Sequence, residues 1–238
     1  MKHQYSPDSF SFHDENEKTL TFLKRSLLSK LSIKVRTDQL NILLKYLRPT
    51  AKTKVLDVGL SPNETLADTN LFEKLYPYPQ RITAASVEDC RRLHPLYPKI
   101  KIVKVKPGQR LPFKDNQFDL VTSWATLEHV GNYDQQEFFL NELLRVGKQV
   151  FITTPSRGCF YEVHTGLLFI HWLPLKFFRF ICRHSRFRFL AVPETLNPLF
   201  VNDIKKFKLR KRVNIYSYKT FNLVPTNLII TNTKIPHL

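Results

Sequence analysis

Three short segments in the first two thirds of the chain are the most informative: VLDVG at residues 55–59, LPFKDNQFDLV at 111–121 and LEHV at 127–130. The first is an apolar strand pattern that ends in an acid and a glycine. A glycine at that point lets the backbone approach a ligand closely beside a helix N-terminus. Taken alone the pentapeptide is not specific, because Asp57 can simply cap a strand and Gly59 can simply turn the chain.

Around these segments, strand patterns alternate with helix patterns up to Pro155. This alternation predicts a parallel sheet with right-handed crossovers and helices on both faces. We therefore expect a Rossmann-like α/β three-layer sandwich, with its ligand at the carboxyl ends of the strands. Strands are predicted at 54–58, 81–86, 101–106, 118–123 and 148–153. Helices are predicted between them at 64–76, near 91–93 and at 134–146. Before the first strand we expect a loose tail at 1–14 and two helices within 15–48.

The regular alternation breaks after Pro155. Residues 157–200 predict a helical insertion or lid before the last strands, and 212–220 with 228–233 predict a closing hairpin. We divide the chain into an N-terminal tail with helices, 1–50, and one domain, 51–238, that carries this lid.

The order and spacing of the three segments resemble the class I S-adenosylmethionine-dependent methyltransferases, specifically the type 11 group, across 55–155. The segments TTP at 153–155, FYEVHT at 160–165 and HWLP at 171–174 look like a bacterial subgroup with few loop glycines, often suspected of modifying cell-surface sugars or glycolipids. The resemblance implies S-adenosyl-L-methionine as cofactor and methyl transfer to a small-molecule or glycan/glycolipid acceptor. The cofactor contacts that it implies are Asp57, Gly59, Ser86, Glu88, Gly108, Trp124 and Leu127.

The predicted cofactor loop departs from this family's pattern. GLSPNE at 59–64 keeps one glycine of the usual G-x-G-x-G, and Pro62 stiffens the turn. Ser86 stands where an acid normally holds the ribose, although Glu88 can reach back. The acid that usually reads the adenine amine is replaced by Lys106-Pro107-Gly108. Each missing hydrogen bond costs about 1 kcal/mol. An alternative function is therefore a catalytically inactive, methyltransferase-like binding or scaffold protein with a basic surface.

Three residues are candidates for acceptor chemistry. A histidine titrates near neutral pH, so His129 could accept a proton from a hydroxyl, or it could simply pack at the pocket floor. Glu162 and His164 alternate by two, so on an extended segment they share a face and could line the acceptor pocket. Trp124 is equally compatible with the core and with a cofactor contact. We expect no metal centre, because His164 and His171 share a helical spacing but have no evident third ligand.

The net charge of +17 favours an anionic partner. Residues 160–188 interleave phenylalanines with arginines. This pattern predicts first a lid with a solvated basic face, second a contact with an anionic membrane surface, and third nucleic-acid binding, which no recognisable module supports. Three scattered cysteines argue against a disulfide framework, and the apolar stretch 163–175 is too short to span a bilayer. We expect a cytoplasmic protein that can touch a membrane surface.

Overall fold

The computed structural model describes residues 22–162, 164–220 and 223–236. A seven-stranded sheet forms its centre, and a separate two-stranded hairpin lies in the insertion. The strands are β1 (Val55–Val58), β2 (Ile82–Ser86), β3 (Lys101–Lys104), β4 (Phe118–Trp124), β5 (Gly147–Pro155), β6 (Tyr161–Glu162), β7 (Leu167–Leu168), β8 (Asn214–Thr220) and β9 (Val224–Thr231). The α-helices are α1 (Phe22–Leu47), α2 (Leu71–Leu75), α3 (Tyr133–Val146), α4 (Leu175–Arg183) and α5 (Val201–Lys205).

The strand order in the large sheet is β3-β2-β1-β4-β5-β9-β8. Strands β1 to β5 are parallel, and β9 pairs antiparallel with both β5 and β8. The chain leaves β3 at one edge and re-enters beside β1, so the order reverses between β1 and β4. A reversal of this kind opens a cleft at the carboxyl ends of the strands. The predicted Rossmann-like sandwich and its closing hairpin are confirmed.

The sheet separates two apolar cores. Successive side chains of a strand point to opposite faces, and β5 shows this clearly, since Val150 and Ile152 pack on one side and Phe151 on the other. On the first side they meet α3 through Leu140, Leu143 and Leu144; on the second they meet α1 through Leu40, Leu43 and Leu47. Burial on both faces explains why these strands are almost continuously apolar.

The segment LPFKD is held by one arginine of α3. Arg145 is 4% exposed, and it forms a two-pronged ion pair with Glu142, with both N···O distances 2.7 Å. Its remaining donors reach the carbonyls of Leu111 and Phe113 and the carboxylate of Asp115. This part of the family-like pattern therefore has a structural role, because it ties the loop before β4 to the helix after it.

Two helix predictions are wrong in extent. The expected pair of helices within 15–48 is a single helix, α1, because no glycine or proline interrupts residues 22–47; residues 1–21, including the predicted tail, lie outside the described residues. The expected helix 64–76 is reduced to α2. Asn70, with φ +49°, bonds through its side chain to the backbone of Ser61 and to Glu64, and these contacts hold 61–70 as a loop.

The insertion is less helical than predicted. Its longest α-helix is the nine-residue α4, and it begins with the β6–β7 hairpin. Phe178 and Cys182 of α4 are fully buried in a small separate core with Leu190 and Leu196. Among the described residues, no helix is long and apolar enough to cross a bilayer.

Candidate active site

The carboxyl ends of β3, β2, β1 and β4 lie side by side and bring most of the predicted cofactor residues to one edge of the sheet. Ser86 ends β2, Gly59 follows β1, and Trp124 ends β4. Gly108 lies in the loop after β3. The ends of β1 and its neighbours are tied together, since Ser123 Oγ donates to the carbonyl of Val58 and Gly59 N–H donates to the carbonyl of Ala85.

Gly59 is required by its backbone and by its neighbour. Its φ is +120°, a conformation that residues with a side chain rarely adopt. A Cβ added there would lie 2.0 Å from Thr126 Oγ1. The close approach that this glycine permits is therefore to Thr126, in the loop that leads into the LEHV segment.

Asp57 is buried and turned toward other protein groups. It is 4% exposed, and its Oδ1 accepts a hydrogen bond of 2.6 Å from Thr122 Oγ1. Burial raises the pKa of Asp57 to about 6, against the lowering effect of hydrogen bonds from Glu73 and Thr122. Burial and the neighbouring Asp57 together raise the pKa of Glu73 well above its usual value. Its contacts identify Asp57 as part of a buried carboxyl pair beneath the cleft.

Trp124 and Leu127 lie in the protein interior. Trp124 is half-buried and stacks on Phe72, with ring centroids 5.5 Å apart, and it also contacts Phe151. Its buried Nε1 has no hydrogen-bond partner. Leu127 is completely buried among residues of β4, β5 and α3. Of the two readings left open for Trp124, the packing favours the core, and Leu127 presents no surface to a ligand.

Glu88 and Gly108, on the outer part of the cleft, are more accessible to a nucleoside than Asp57 or Leu127. Glu88 is exposed just beyond β2, and its backbone N–H donates a hydrogen bond to Ser86 Oγ at the end of that strand. A carboxylate with two oxygens can accept both hydroxyls of a ribose. Gly108, with φ +64°, is exposed, and a Cβ there would meet nothing within 4 Å. These positions would hold the nucleoside end of S-adenosylmethionine, whereas Thr126 narrows the cleft beside Gly59.

The three predicted acceptor residues are brought together. The rings of His129 and His164 meet edge to face, with centroids 5.1 Å apart. His164 Nδ1 lies 2.7 Å from Glu162 Oε1, and the two Glu162 oxygens also accept the backbone N–H groups of His164 and Thr165. His129 comes from the short helical turn after β4, and Glu162 and His164 come from the β6–β7 hairpin. The insertion thus completes a cluster that the sheet edge begins.

The pKa values of the two histidines in this cluster are shifted in opposite directions. Burial lowers the pKa of His129, and the nearby Glu128 only partly offsets this effect. Burial would also lower the pKa of His164, but the charge and hydrogen bond of Glu162 outweigh it and raise that pKa above 6.5. Burial would raise the pKa of Glu162, yet His164 and the backbone donors hold it at about 2. An ionised Glu162 therefore faces His164, while His129 is neutral near pH 7.

Two partners of this cluster were not singled out from the sequence as site residues. The carbonyl of Thr195 lies 2.6 Å from His129 Nδ1, and Glu128 is 1% exposed with Oε2 accepting from Thr154 Oγ1 at 2.8 Å. A backbone carbonyl leaves no signature in a sequence, so Thr195 could not have been found. Glu128 could have been noticed, because a carboxyl group inside an apolar segment such as LEHV needs a partner.

Comparison with known proteins agrees with this architecture. Residues 69–150, about a third of the chain, match the family model described as a methyltransferase domain. Over these residues the chain is similar to the methyltransferase domains of that family. No curated protein sequence matches the chain.

Solved methyltransferase structures share the fold at low sequence identity. A S-adenosylmethionine-dependent methyltransferase from Methanosarcina mazei is 14% identical, with a TM-score of 0.51 over 82% of this chain and 97% of that one. The methyltransferase domain of a bacterial Hen1 is also 14% identical, with a TM-score of 0.52 over 84% of this chain and 98% of that one. At 14% identity, this similarity shows a shared fold and nothing more specific.

Proposed function

We propose that this chain is an S-adenosylmethionine-dependent methyltransferase. We further propose that it transfers the methyl group to a hydroxyl or amine of a glycan or similar polar head group, presented by an amphiphilic acceptor at an anionic membrane surface. The observation that carries the proposal is an exposed aromatic patch beside the acceptor cluster. We call it the aromatic patch and define it as Phe160, Leu168, Phe169, Trp172, Phe177 and Phe180.

The aromatic patch is unusually apolar for a protein surface. Phe177 and Phe180 of α4 are each 62% exposed, and the other members are between 41% and 57% exposed. The rings of Phe160, Phe169 and Trp172 contact one another in sequence, and Phe177 and Phe180 lie on the helix that follows. Scattered exposed apolar residues need no explanation, but a group of large ones in neighbouring elements marks a surface that meets an apolar partner. Because α4 also buries Phe178 and Cys182 in its own core, its outer phenylalanines are surplus to the packing of the lid.

The positive charge around the aromatic patch favours an anionic partner. Residues 164–193 contain five arginines and lysines and no acidic residue. Lys176, Arg183, Arg186 and Arg188 are exposed. Aromatic side chains flanked by cations suit the boundary between the acyl chains and head groups of an anionic lipid surface, where each cation contributes about 1 kcal/mol.

The hairpin β6–β7 connects this surface to the candidate chemistry. Glu162 in β6 bonds to His164, and Leu168 in the paired strand β7 belongs to the aromatic patch. Only a few residues therefore separate the lipid-facing side chains from the acceptor cluster. An acceptor anchored by a lipid tail could place its polar head group near His129 and His164 without leaving the membrane.

For methyl transfer, the main task of the protein is to align the acceptor atom with the methyl group of the donor. When bound, S-adenosylmethionine supplies a methyl group on a positively charged sulfur, and the acceptor's lone pair must lie in line with it. The N–H on His129 Nδ1 faces the Thr195 carbonyl, so Nε2 is the nitrogen that can take the acceptor's proton. Glu162 holds the ring of the neighbouring His164 in a fixed orientation.

Calorimetric titration with S-adenosylhomocysteine is the first test of the cofactor site. We expect a Kd in the micromolar range, which corresponds to about −8 kcal/mol, weakened by Glu88→Gln. The control is Asp89→Asn, which removes the neighbouring exposed carboxylate. Absence of heat and of thermal stabilisation at millimolar ligand would overturn the enzymatic proposal. That result would favour a binding or scaffold role, for which the tight contact of Gly59 with Thr126 is the structural argument.

Vesicle co-sedimentation tests the membrane surface. We expect the protein to sediment with vesicles that contain phosphatidylglycerol and not with pure phosphatidylcholine. The double variant Phe177→Ser, Phe180→Ser should lose this binding. Leu96→Ser is a matched control, because Leu96 is also 62% exposed but lies in the loop before β3. Equal sedimentation of both variants, or no sedimentation of the parent protein, would contradict the lipid-linked acceptor and leave a freely soluble one.

A further inference from the structure

A basic segment that the proposed function does not use follows α5. Residues 205–212 read KKFKLRKR, so six of eight positions are cationic, and no acidic residue occurs in the chain after Asp203. It lies outside the lid segment 160–188, so its charge needs a separate explanation. Five of its cations are exposed, and we call these five side chains the basic strip: Lys205, Lys206, Lys208, Arg210 and Arg212.

The structure holds this segment against α3 with its cations outward. Phe207 and Leu209 pack against the core that contains α3. The side-chain amide of Asn141 in α3 donates to the carbonyl of Lys208 at 3.0 Å and accepts the N–H of Arg210 at 2.8 Å. Because side chains that face the core alternate with exposed cations from position 206 to position 210, the backbone arranges these charges in a row.

The charges of the basic strip are largely unneutralised. Among the described residues, only Arg210 of the five forms an ion pair, with its Nη2 3.6 Å from Asp115 Oδ2. Asp115 is shared with two other arginines. Glu137 of α3 binds the backbone of the segment, since its Oε2 accepts the N–H of Lys208 at 2.9 Å. A row of like charges with so few counterions creates a positive potential that attracts a polyanion.

Two aromatic rings of α3 are exposed beside the basic strip. Tyr133 is 36% exposed, and its ring centroid lies 6.4 Å from that of Phe207, inside the basic segment. Phe138 is 41% exposed and precedes Asn141 by three residues, so these two side chains are neighbours on the helix surface. Exposed rings beside cations let nucleic-acid bases stack while the backbone phosphates are neutralised.

The linear arrangement favours a strand-like polyanion over a membrane. Two residues of extended chain span at most about 7 Å. The outward cations at positions 206, 208 and 210 therefore follow one another at a spacing comparable to that of successive phosphates in an extended single strand. A lipid surface is bound by apolar side chains that enter it between cations. Here the apolar side chains inside the basic segment face the core instead.

We propose that the basic strip, together with Tyr133 and Phe138, binds single-stranded nucleic acid through its phosphates and its stacked bases. Contacts of these two kinds do not read the base sequence, so binding should be nonspecific. This inference goes beyond the proposed function and does not depend on it, because it uses neither the acceptor cluster nor the aromatic patch. It gives the chain a second partner, bound on the side of the sheet that α3 covers.

Fluorescence anisotropy with a labelled oligothymidylate tests the charge contacts. For single strands the slope of log K against log salt is about −0.7 per phosphate contacted, so five cations predict a slope of about −3.5. The double variant Lys206→Ser, Lys208→Ser should reduce it to about −2. The matched control is Lys52→Ser, Lys99→Ser, at exposed positions before β1 and β3, which should leave the slope unchanged. No binding by the parent protein, or an equal loss in both double variants, would overturn the proposal.

Phe138→Ser separates stacking from charge. We expect it to weaken oligothymidylate binding by about 5-fold or more and to leave the salt slope unchanged, because a stacked base contributes affinity without neutralising a phosphate. Leu75→Ser, at a 44% exposed residue of α2, is the control. Unchanged affinity in Phe138→Ser, or equally tight binding of inorganic polyphosphate, would overturn nucleic acid as the partner and leave a general polyanion site.

Vesicle co-sedimentation distinguishes nucleic acid from a membrane at this surface. Lys206→Ser, Lys208→Ser should sediment with phosphatidylglycerol vesicles as the parent protein does, because vesicle binding is assigned to the aromatic patch. Loss of vesicle binding in this variant, with oligothymidylate binding retained, would make the basic strip a membrane contact and refute the proposal. Thermal unfolding of every variant shows that it is folded, since all the substituted side chains are exposed.

Discussion

Gly59 is the position where a single added carbon atom should have the largest calculable effect. In Gly59→Ala the new Cβ would lie 2.0 Å from Thr126 Oγ1 and 3.0 Å from both its Cβ and its Cγ2. The backbone would also be strained, because φ is +120°. Such strain costs about 1–3 kcal/mol. Overpacking of this kind costs a further 1–3 kcal/mol, roughly. We expect Gly59→Ala to lower the free energy of unfolding by about 2–6 kcal/mol.

Two further variants divide this loss into its causes. Gly108→Ala carries backbone strain without a clash, since its φ is +64° and nothing lies within 4 Å of the added Cβ. It should cost only about 1–2 kcal/mol. Thr126→Ala in the Gly59→Ala background removes the atom at 2.0 Å and leaves one at 3.0 Å, so it should restore part of the overpacking loss.

Urea unfolding of the parent protein, Gly59→Ala, Thr126→Ala and the double variant forms a double-mutant cycle that measures this coupling, and Gly108→Ala is measured beside them. We expect an interaction energy of about 1–3 kcal/mol between positions 59 and 126. A coupling near zero, or a loss in Gly59→Ala no greater than that in Gly108→Ala, would refute the reasoning. Binding of S-adenosylhomocysteine should weaken in Gly59→Ala, because the displaced Thr126 lies beside the cleft.

Two predictions concern buried ionisable groups. Glu73→Gln should reduce the loss of stability above about pH 4.5, because the raised pKa of Glu73 means that the unfolded chain releases this proton at lower pH than the folded chain. Urea midpoints at pH 5 and pH 8 check it, and identical pH dependence in both proteins would contradict it. Arg145→Met should cost about 3–5 kcal/mol, because it leaves Glu142 buried without its ion pair. Thermal unfolding checks this, and the double variant with Glu142→Met should be less destabilised than the single one; a larger loss would argue against the ion pair as the cause.

Local patterns predicted the layered architecture well. Apolar strands such as 55–58 and 118–124 alternate with amphipathic segments such as α3, and that alternation by itself implies a parallel sheet with covered faces. Helix extent was predicted less well. A helix was predicted at 64–76, but Asn70 bonds to Ser61 and Glu64 and holds the first part of that range as a loop. A periodicity argument contains no such contacts.

The candidate cofactor residues show the same limit at the level of single side chains. Position in the motif placed Asp57, Gly59 and Trp124 in or just after β1 and β4, toward the carboxyl ends of these strands. Burial then determined what each could touch: Asp57 faces Thr122, Gly59 accommodates Thr126, and Trp124 stacks on Phe72. Their roles toward the cofactor, like those of Ser86, Glu88 and Gly108, remain predictions.

The sequence by itself determined the fold, because strand and helix periods are local properties of side chains that either meet a core or do not. It also named His129, Glu162 and His164 as separate candidates. Only the tertiary structure decided that these side chains meet, that Glu128 joins them, and that the outer phenylalanines of α4 stay exposed. The physical reason is that the cluster joins the end of β4 to a hairpin more than thirty residues later, and the distance between such groups is set by how the insertion packs.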